Sequence, residues 1–505
     1  MSHILTIYSA EEHLGKTTLG SNLGVSLIHE TQKRVILVEF DRGTQGRPAW
    51  SMLKFPSAHL LSLQDLSVER VADHIRRHSS RLYLLTVDPA EVEATGGREV
   101  LGRLFAWLRE RFDYILVDVS PSLSRVVHEL LDISEIVLFV ASSHDDEQPI
   151  GIVGHQNVRY IVNRCEDAPS HPVNPLSEHY CLPKDDVALK TFLASGIPFV
   201  IQSPNRRISQ VIGKLARDIG GKRFGLALTG GAALGLTQLG ILEVFEQNRI
   251  AIDMITGVSF GALLGAAYAA GIELRLLKHH LIDWAQTARV APRLGVTRLF
   301  RKERFLKEAE LQALCETLLH NVYFEDLTIP LHVVAIDIRS GTEVMFKEGK
   351  VLDAIKSSMR IPGLFVPFKH TERHLIDGSA VHQTPVFPLQ CMGANITVAV
   401  VVTPSPKESQ AFFREAGRGR LSHIQGTVRQ NYALVNATFD SLMERLQEVE
   451  HLPADETPTV NPDVYIVPDV TGLSWQDFHR VRELIERGAR AAEDVLPHIE
   501  HLKWG

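Results

Sequence analysis

Cysteine is scarce in this sequence. Only four of the 505 residues are cysteines, and no two of them form a Cys-x-x-Cys pair. This wide spacing argues against a metal site and against a disulfide framework, and it suits a reducing cytosol. The four are Cys165, Cys181, Cys315 and Cys391.

Long apolar runs and an excess of basic residues are missing as well. The longest apolar run, residues 262–272, is well short of the roughly 20 residues that a membrane-spanning helix needs. The N-terminal residues lack the basic and apolar regions of a signal peptide. We therefore expect a cytoplasmic protein that contacts the inner face of the membrane only peripherally. Because the formal net charge is −7, we expect no nucleic-acid partner.

The length and composition are those of a globular protein with more than one core. Hydrophobic residues make up 45% of the chain and charged residues 22%. A chain of 505 residues is too long for one ordinary core. A short basic joint at residues 219–223 predicts the boundary between two domains, residues 1–218 and residues 224–505.

The first domain begins with a strand, a loop and a helix that carry a possible phosphate site. Backbone N–H groups at such a helix start bind phosphate, a lysine neutralises it and a threonine hydroxyl binds Mg²⁺. Two later apolar strands end in aspartates, the second placed as a Walker B residue would be. The predicted nucleotide-binding residues are Gly15, Lys16, Thr17, Thr18, Asp41 and Asp118, with Thr17 and Asp118 at the metal.

These segments resemble the ParA/MinD-type P-loop ATPases over roughly residues 1–218. Near-continuous apolar strands between helices predict a parallel sheet covered on both faces. A closing strand near residues 198–202 and a helix over residues 208–219 also fit that family, while residues 165–186 are expected to be an irregular excursion. The resemblance implies ATP and Mg²⁺ as cofactors, a homodimer through this domain, and a role in positioning cargo on membranes or nucleoids.

The loop departs from the family pattern at four positions. Ala10 replaces the first glycine of the Walker loop, Glu11 replaces the signature lysine, and Glu12 and His13 replace the inner glycines. A carboxylate at about 4 Å from a triphosphate would repel it by on the order of 1–4 kcal/mol. We therefore expect no hydrolysis assisted by a partner's signature lysine. A fold retained only for dimerisation or docking is the alternative.

The second domain is organised around a serine between two glycines. Residues 252–258 predict a strand and residues 262–270 a buried helix, so Ser259 lies on the turn between them. Gly257 and Gly261 permit the sharp bend of a nucleophile elbow. A second strand, starting at Phe224, leads into a glycine-rich turn whose N–H groups can stabilise an oxyanion. The predicted oxyanion hole is Gly230, Gly231, Ala232 and Gly235.

An aspartate further along the chain completes the pattern. Asp377 ends a predicted strand and precedes Gly378, although an Asp-Gly pair is also common in ordinary turns. With the elbow, the glycine-rich turn and residues 354–365, this segment resembles the patatin-like phospholipases from about residue 222 to the C-terminus. That family has a Gly-x-Ser-x-Gly serine and an Asp-Gly-[Gly/Ala] aspartate. The resemblance implies a catalytic dyad of Ser259 and Asp377 that requires no histidine and no cofactor.

Some residues near this predicted site allow two interpretations. Leu234 stands where the family has an arginine, which predicts a slower reaction or a different head group. Arg360 either supplies that charge or forms an exposed salt bridge. His382 is suitably placed for a triad, but we prefer the dyad. The residues that either line an acyl pocket or pack in the core are Met359, Ile361, Leu364 and Phe365.

The sequence thus predicts an α/β protein with two three-layer α/β/α domains. The second domain would be a serine lipid acyl hydrolase that acts on phospholipids, lysophospholipids or other acyl lipids. The first would localise or regulate it, and the basic residues 278–304 would either contact an anionic membrane or form a solvated loop. Two alternatives stay open: an inactive scaffold or localisation protein, and a thioesterase or protein deacylase with the same dyad.

Overall fold

The computed structural model divides into two compact units, one ending at Lys222 and the other running from Arg223 to Lys503. This division falls inside the segment 219–223. The structure describes residues 2–40, 47–57, 60–61, 68–88, 98–121, 124–142, 155, 157–165, 179–287, 291–292, 304–305, 308–361, 365–380, 384–402 and 461–504.

The first unit contains a nine-stranded sheet. Its strands are β1 (His3–Tyr8), β2 (Val35–Phe40), β3 (Leu60–Leu61), β4 (Arg76–Arg77), β5 (Tyr83–Val87), β6 (Tyr114–Asp118), β7 (Ile136–Ala141), β8 (Val158–Cys165) and β9 (His179–Pro183). They lie in the order β3-β5-β2-β6-β1-β7-β8-β9, with β4 paired to β5. All these pairings are parallel except that of β4 with β5.

Helices pack against this sheet and bury two separate apolar clusters. They are α1 (Lys16–Thr31), α2 (Ala49–Met52), α3 (Val68–His74), α4 (Arg98–Arg109), α5 (Arg125–Asp132), α6 (Asp186–Ser195), α7 (Phe199–Gln202) and α8 (Arg207–Ile219). Leu23 and Leu27 of α1 pack in one cluster, and Leu104 and Leu108 of α4 pack in the other. The two clusters explain why the central strands are apolar on both faces.

The end of this sheet differs from the prediction. The expected closing strand near residues 198–202 is wrong, because these residues form the short helix α7. Its Phe199 is buried against Phe192 of α6, so a short apolar run here fills one helical turn. The final strand is β9, which lies in the segment expected to be irregular and pairs in parallel with β8. The helix predicted over residues 208–219 is confirmed.

The second unit contains an eight-stranded sheet and a separate two-stranded one. The strands are β10 (Phe224–Leu228), β11 (Met254–Val258), β12 (Ala291–Pro292), β13 (Arg304–Phe305), β14 (Leu331–Asp337), β15 (Glu343–Phe346), β16 (Phe368–His370), β17 (Arg373–Asp377), β18 (Ile396–Val400) and β19 (Val464–Ile466). The large sheet has the order β16-β17-β14-β11-β10-β18-β19, with β15 paired to β14. Strands β14, β11, β10, β18 and β19 are parallel, whereas β15 and β17 run antiparallel to β14.

The helices of this unit include one that is buried over almost its whole length. They are α9 (Thr237–Gln247), α10 (Ser259–Ala269), α11 (Leu274–Thr287), α12 (Glu308–Leu319), α13 (Val351–Ser358), α14 (Phe387–Cys391) and α15 (Val481–Trp504). Every residue of α10 except Tyr268 is buried, so its start is held rigidly by the core. The two α/β domains that the sequence predicted are confirmed. No helix in the described part of the chain is long and apolar enough to cross a bilayer.

Helices α9 and α15 approach each other very closely. A Cβ added at Gly240 would lie 1.9 Å from the Ile485 carbonyl oxygen, and one added at Gly488 would lie 1.8 Å from the Thr237 carbonyl oxygen. Only glycine fits at such backbone contacts. The C-terminal helix is therefore part of the packed core of the second unit.

Candidate active site

Ser259 lies on a tight bend between strand β11 and helix α10. Its φ of 54° is in the left-handed region, which costs about 1–2 kcal/mol for a residue with a Cβ. The residue before it, Val258, is still extended, and Ser259 already begins the helix. The serine is 3% exposed. This strained turn has the geometry of a nucleophile elbow.

The two glycines of the elbow are required by close backbone contacts. A Cβ at Gly257 would lie 2.6 Å from the Cα of Ala262, on the first turn of α10. A Cβ at Gly261 would lie 2.3 Å from the carbonyl oxygen of Thr229, which follows strand β10. The Gly-x-Ser-x-Gly spacing therefore lets the helix start pack directly on two strands.

A buried serine that the sequence did not single out anchors the elbow. The N–H of Ser259 donates to the Ser358 hydroxyl at 2.8 Å, and that hydroxyl donates to the Val334 carbonyl at 2.6 Å. Ser358 ends helix α13 and is completely buried. Only its place in the segment 354–365, which carried the family resemblance, pointed toward a role.

The structure brings Asp377 to the elbow. It ends strand β17, opposite Ala335 of β14, and its N–H donates to the Arg360 carbonyl at 2.9 Å. The Ser259 side chain lies near enough to this carboxyl to lower its pKa. The carboxylate accepts two hydrogen bonds from Ser379, from the N–H at 2.9 Å and from the hydroxyl at 2.6 Å.

The Asp377 carboxyl is 1% exposed, and this burial raises its pKa to about 6. Hydrogen bonds from Ser259 and Ser379 lower the pKa and offset part of that rise. A carboxylate with a pKa in this range is ionised near neutral pH yet basic enough to accept a proton. Burial thus leaves a carboxylate of raised basicity beside the elbow serine.

The glycine-rich turn passes beside the elbow serine. A Cβ at Gly230 would lie 3.0 Å from the Ser259 Cβ, so this position must stay small. Gly231 has a φ of 122° and Ala232 a φ of 50°, so Ala232 keeps a left-handed backbone in spite of its Cβ. Among the described residues, these three N–H groups make no backbone hydrogen bond, which leaves them available to an anion. Gly235 lies inside the short helix Ala232–Leu236 and packs on Phe260.

A distant segment holds this turn in place. The N–H of Ala233 donates to the Trp475 carbonyl at 3.0 Å, and the N–H of Leu234 donates to the Gly231 carbonyl at 3.0 Å. The Gln238 side chain donates to the Thr229 carbonyl at 2.8 Å. Hydrogen bonds from within the turn, from helix α9 and to the C-terminal part of the unit therefore hold the turn in place.

The remaining candidates near the site have separate places. Arg360 pairs with Glu308 and lies over the Phe368 ring, which favours the salt-bridge interpretation. Leu234 is buried in the core cluster, and so is Met359. Three predicted positions lie outside the described residues, namely His382, Leu364 and the basic residues 293–303.

The first unit contains the predicted phosphate loop. Gly15 precedes α1 with a φ of 82°, and the amide of Asn163 on β8 donates to the Leu14 carbonyl at 2.6 Å. Lys16 is 8% exposed and donates to the Ser9 hydroxyl at 2.6 Å. Burial lowers the pKa of Lys16, although Asp118 and Glu12 act in the opposite direction.

The predicted metal residues lie together at the carboxyl end of β6. The Thr17 hydroxyl donates to the Asp118 carboxylate at 2.6 Å. Oxygen ligands of this kind suit Mg²⁺, which binds proteins through one or two groups and keeps its other positions for water and phosphate. Thr18 lies beside Met52, and Asp41 is outside the described residues. The described residues contain no cluster of three or more His, Cys, Asp or Glu side chains that would hold a metal alone.

The loop residues that depart from the P-loop pattern point away from the core. Glu11, Glu12 and His13 are all exposed. His13 has a φ of 61°, so it adopts the left-handed conformation usual for the glycine that it replaces. The loop therefore has two exposed carboxylates before α1, and Glu12 is close enough to raise the pKa of Lys16.

The fold and the two sites define a two-domain α/β protein with a P-loop in one unit and a nucleophile elbow in the other. Residues 226–389 match the family model "Patatin-like phospholipase", and residues 2–146 match the model "AAA domain". The second unit therefore contains a patatin-like phospholipase domain, and the first contains a P-loop AAA domain. Both resemblances noted in the sequence are confirmed at this level.

Curated proteins resemble a little more than half of the chain. An NTE family protein of Mycobacterium tuberculosis is 27% identical over 308 residues, covering 57% of this chain and 49% of that protein. Lysophospholipase NTE1 of Kluyveromyces lactis is 25% identical over 291 residues, covering 57% of this chain and 20% of that protein. The chain thus matches half or less of the length of these curated relatives.

Solved structures resemble the chain over 43% of its length. The cell division ATPase MinD of Pyrococcus furiosus is 25% identical with a TM-score of 0.36, and 98% of that chain is covered. The septum site-determining protein MinD of Pyrococcus horikoshii, complexed with Mg-ADP, is 23% identical with a TM-score of 0.36, and 96% of that chain is covered.

Proposed function

We propose that the second unit hydrolyses carboxylic esters of acyl lipids through an acyl-serine intermediate on Ser259. The contact between Ser259 on the strained elbow and the buried Asp377 carboxylate carries this proposal. The patatin-like phospholipase match and the relative named lysophospholipase NTE1 support phospholipids or lysophospholipids as substrates.

The reaction follows from the groups around the elbow. Asp377 accepts the Ser259 proton while the serine oxygen bonds to the ester carbonyl carbon. The N–H groups of Gly230, Gly231 and Ala232 stabilise the oxyanion that forms. The carbon–oxygen bond to the leaving alcohol then breaks, and the alcohol takes the proton from Asp377. In the second half, a water molecule gives its proton to Asp377 and attacks the acyl group, which releases the fatty acid and returns the proton to Ser259.

A fluorophosphonate probe and a lysophospholipid assay test the proposal. We expect the wild type to be labelled and to release fatty acid, whereas Ser259→Ala removes both and Asp377→Asn lowers kcat by at least about 10³-fold. Ser357→Ala is a matched control, because Ser357 is equally buried but bonds only to the Asp353 carbonyl of its own helix. A folded wild type without labelling would support the inactive scaffold instead. Faster turnover of acyl thioesters than of lipid esters would support a thioesterase or deacylase.

We further propose that the first unit binds a Mg²⁺-nucleotide and localises or regulates the hydrolase. Lys16, Thr17 and Asp118 are the residues that would hold the phosphates and the ion. The exposed Glu11 in place of a signature lysine supports binding without partner-assisted hydrolysis. A cytoplasmic location, peripheral membrane contact and a homodimer through this unit belong to the same proposal. Unchanged lipid hydrolysis and membrane association in Lys16→Ala and Asp118→Ala would contradict it.

A further inference from the structure

The residue after the Asp377-Gly378 turn differs from the family pattern in a way that affects the carboxylate. The patatin-like pattern has glycine or alanine at this position, and this chain has Ser379. Both its N–H and its hydroxyl donate to the same oxygen, Asp377 Oδ1, at 2.9 and 2.6 Å. Alanine or glycine would retain the first hydrogen bond and lose the second.

Ser379 lies between the carboxylate and the glycine-rich turn. A Cβ at Gly230 would lie 3.2 Å from the Ser379 hydroxyl oxygen and 3.0 Å from the Ser259 Cβ. The hydroxyl is thus next to the site, yet its hydrogen bond is to the base and not to the nucleophile. Two donors on one carboxylate oxygen restrict rotation of the side chain about its Cβ–Cγ bond.

We infer that Ser379 is a positioning residue, whose hydroxyl holds the Asp377 carboxylate in one orientation and keeps it ionised near neutral pH. This inference rests on the proposed function. A hydrogen bond to the ionised form of an acid favours that form, so Ser379 opposes the effect of burial on Asp377. The enzyme therefore works at lower pH than it would with alanine at this position.

Other ionisable groups near Asp377 do not account for this effect. Among the described residues, burial raises the Asp377 pKa, and only hydrogen bonds from Ser259 and Ser379 lower it. His332 on β14 has its pKa lowered to about 4 by burial and is neutral in the working range. The remaining titratable groups lie on the strands and helices around Asp377. They are Asp337 on β14, Lys369 and His370 on β16, Arg373 and His374 on β17, Tyr268 on α10, Asp353 and Lys356 on α13, and Arg360, which pairs with Glu308.

The test compares pH profiles of the full chain with p-nitrophenyl butyrate as the probe ester. In Ser379→Ala we expect the acid limb of kcat/KM to move up by about one pH unit, because a hydrogen bond to a charged group changes the ionisation constant about tenfold. Activity should fall about tenfold near pH 5 and much less above about pH 8, where the carboxylate is ionised in both proteins. Ser379→Gly should show the same shift, and Ser379→Thr, which keeps a hydroxyl, should restore the wild-type limb.

The controls separate this inference from the proposed function. Ser357→Ala, which removes a buried hydroxyl on α13, should leave the profile unchanged. If the wild type is active and the acid limbs of Ser379→Ala and Ser379→Gly coincide with the wild-type limb, the inference is overturned and the proposed hydrolase function stands. A fall in kcat/KM of Ser379→Ala that is equal at every pH would overturn the inference as well, since that result indicates altered packing. A wild type that neither reacts with the fluorophosphonate nor cleaves the ester would instead refute the proposed function.

Discussion

Ser259 donates its backbone N–H to the hydroxyl of Ser358 at 2.8 Å, although 99 residues separate the two in sequence. The same hydroxyl donates to the carbonyl of Val334 on β14. One side chain thus joins helix α13 and strand β14 to the strained residue that carries the proposed nucleophile.

Ser358→Ala should therefore weaken both the fold and the site. It removes the side-chain partner of a buried N–H and of a buried carbonyl, and a buried group left unpaired costs about 1–3 kcal/mol. We expect a lower free energy of unfolding in urea and slower fluorophosphonate labelling of Ser259. Ser357→Ala removes a hydroxyl from the same buried helix without touching the elbow. Equal effects of the two substitutions would mean that Ser358 does not support the elbow.

The raised pKa of Asp377 predicts how activity depends on pH. Because the carboxylate must be ionised to accept the Ser259 proton, kcat/KM should fall as pH drops below about 6. The fall should follow a single ionisation in the free enzyme. A profile that stays flat down to about pH 4 would show that Asp377 is not the base.

The same pKa predicts that stability changes with pH in the direction opposite to activity: activity rises with pH, and this contribution to stability falls. The folded pKa of about 6 is above the ordinary aspartate value of 3.8, so the folded state binds the proton more tightly than the unfolded state. This contribution is fully present below about pH 4 and is lost as pH rises through about 6. Asp377→Asn should therefore be inactive yet more stable than the wild type at neutral pH, by up to on the order of 3 kcal/mol. Thermal unfolding at several pH values measures the difference, which should disappear in acid.

Gly261→Ala should disrupt the elbow because its Cβ would collide with backbone atoms that cannot rotate away. The Thr229 carbonyl oxygen would lie 2.3 Å from it and the Leu228 carbonyl carbon 2.7 Å. We expect a loss of about 3 kcal/mol or more, visible as a lower soluble yield and a lower melting temperature. Gly102→Ala in α4 is the control, since a Cβ there would point into open space beyond the backbone of its own helix. A fully active, stable Gly261→Ala protein would contradict the described contact.

Because the phosphate loop is acidic, removing one of its carboxylates should increase its affinity for nucleotide. Glu12→Gln removes a carboxylate that competes with phosphate for Lys16, so nucleotide should bind about fivefold more tightly or better. A fluorescent ATP analogue with Mg²⁺ measures this, with Glu110→Gln as a control at an exposed site on the same unit. Binding should be lost in Lys16→Ala. Absence of binding in all of these proteins would favour a unit used only for docking.

The sequence alone predicted those parts of the site whose geometry depends on one short segment. The elbow could be predicted because Gly257, Ser259 and Gly261 lie within five consecutive residues and only small residues at the two glycine positions permit so sharp a bend. The hydrogen bonds of Ser358 and Ser379 could not be predicted, because they depend on how distant strands pair. Buried serines are common, and nothing local distinguishes Ser358 from Ser357.

The error at the end of the first sheet has a similar cause. Residues 199–201 are apolar in succession, and a run of that length fits a strand or a single helical turn equally well. The packing of Phe199 against Phe192 favours the helical turn over a strand. Strand β9 was missed because prolines surround it and its partner β8 lies before the excursion.

The hydrogen bond from Ala233 to Trp475 sets a limit on how the hydrolase can be shortened. The patatin match ends at residue 389, but strands β18 and β19, helix α15 and the Trp475 carbonyl all come later in the chain. A fragment cut to the matched residues would lose the anchor of the turn that faces the nucleophile and the helix packed against Gly240. Truncated versions made for expression should therefore retain the chain through residue 504, even though the two proposed catalytic side chains lie well before it.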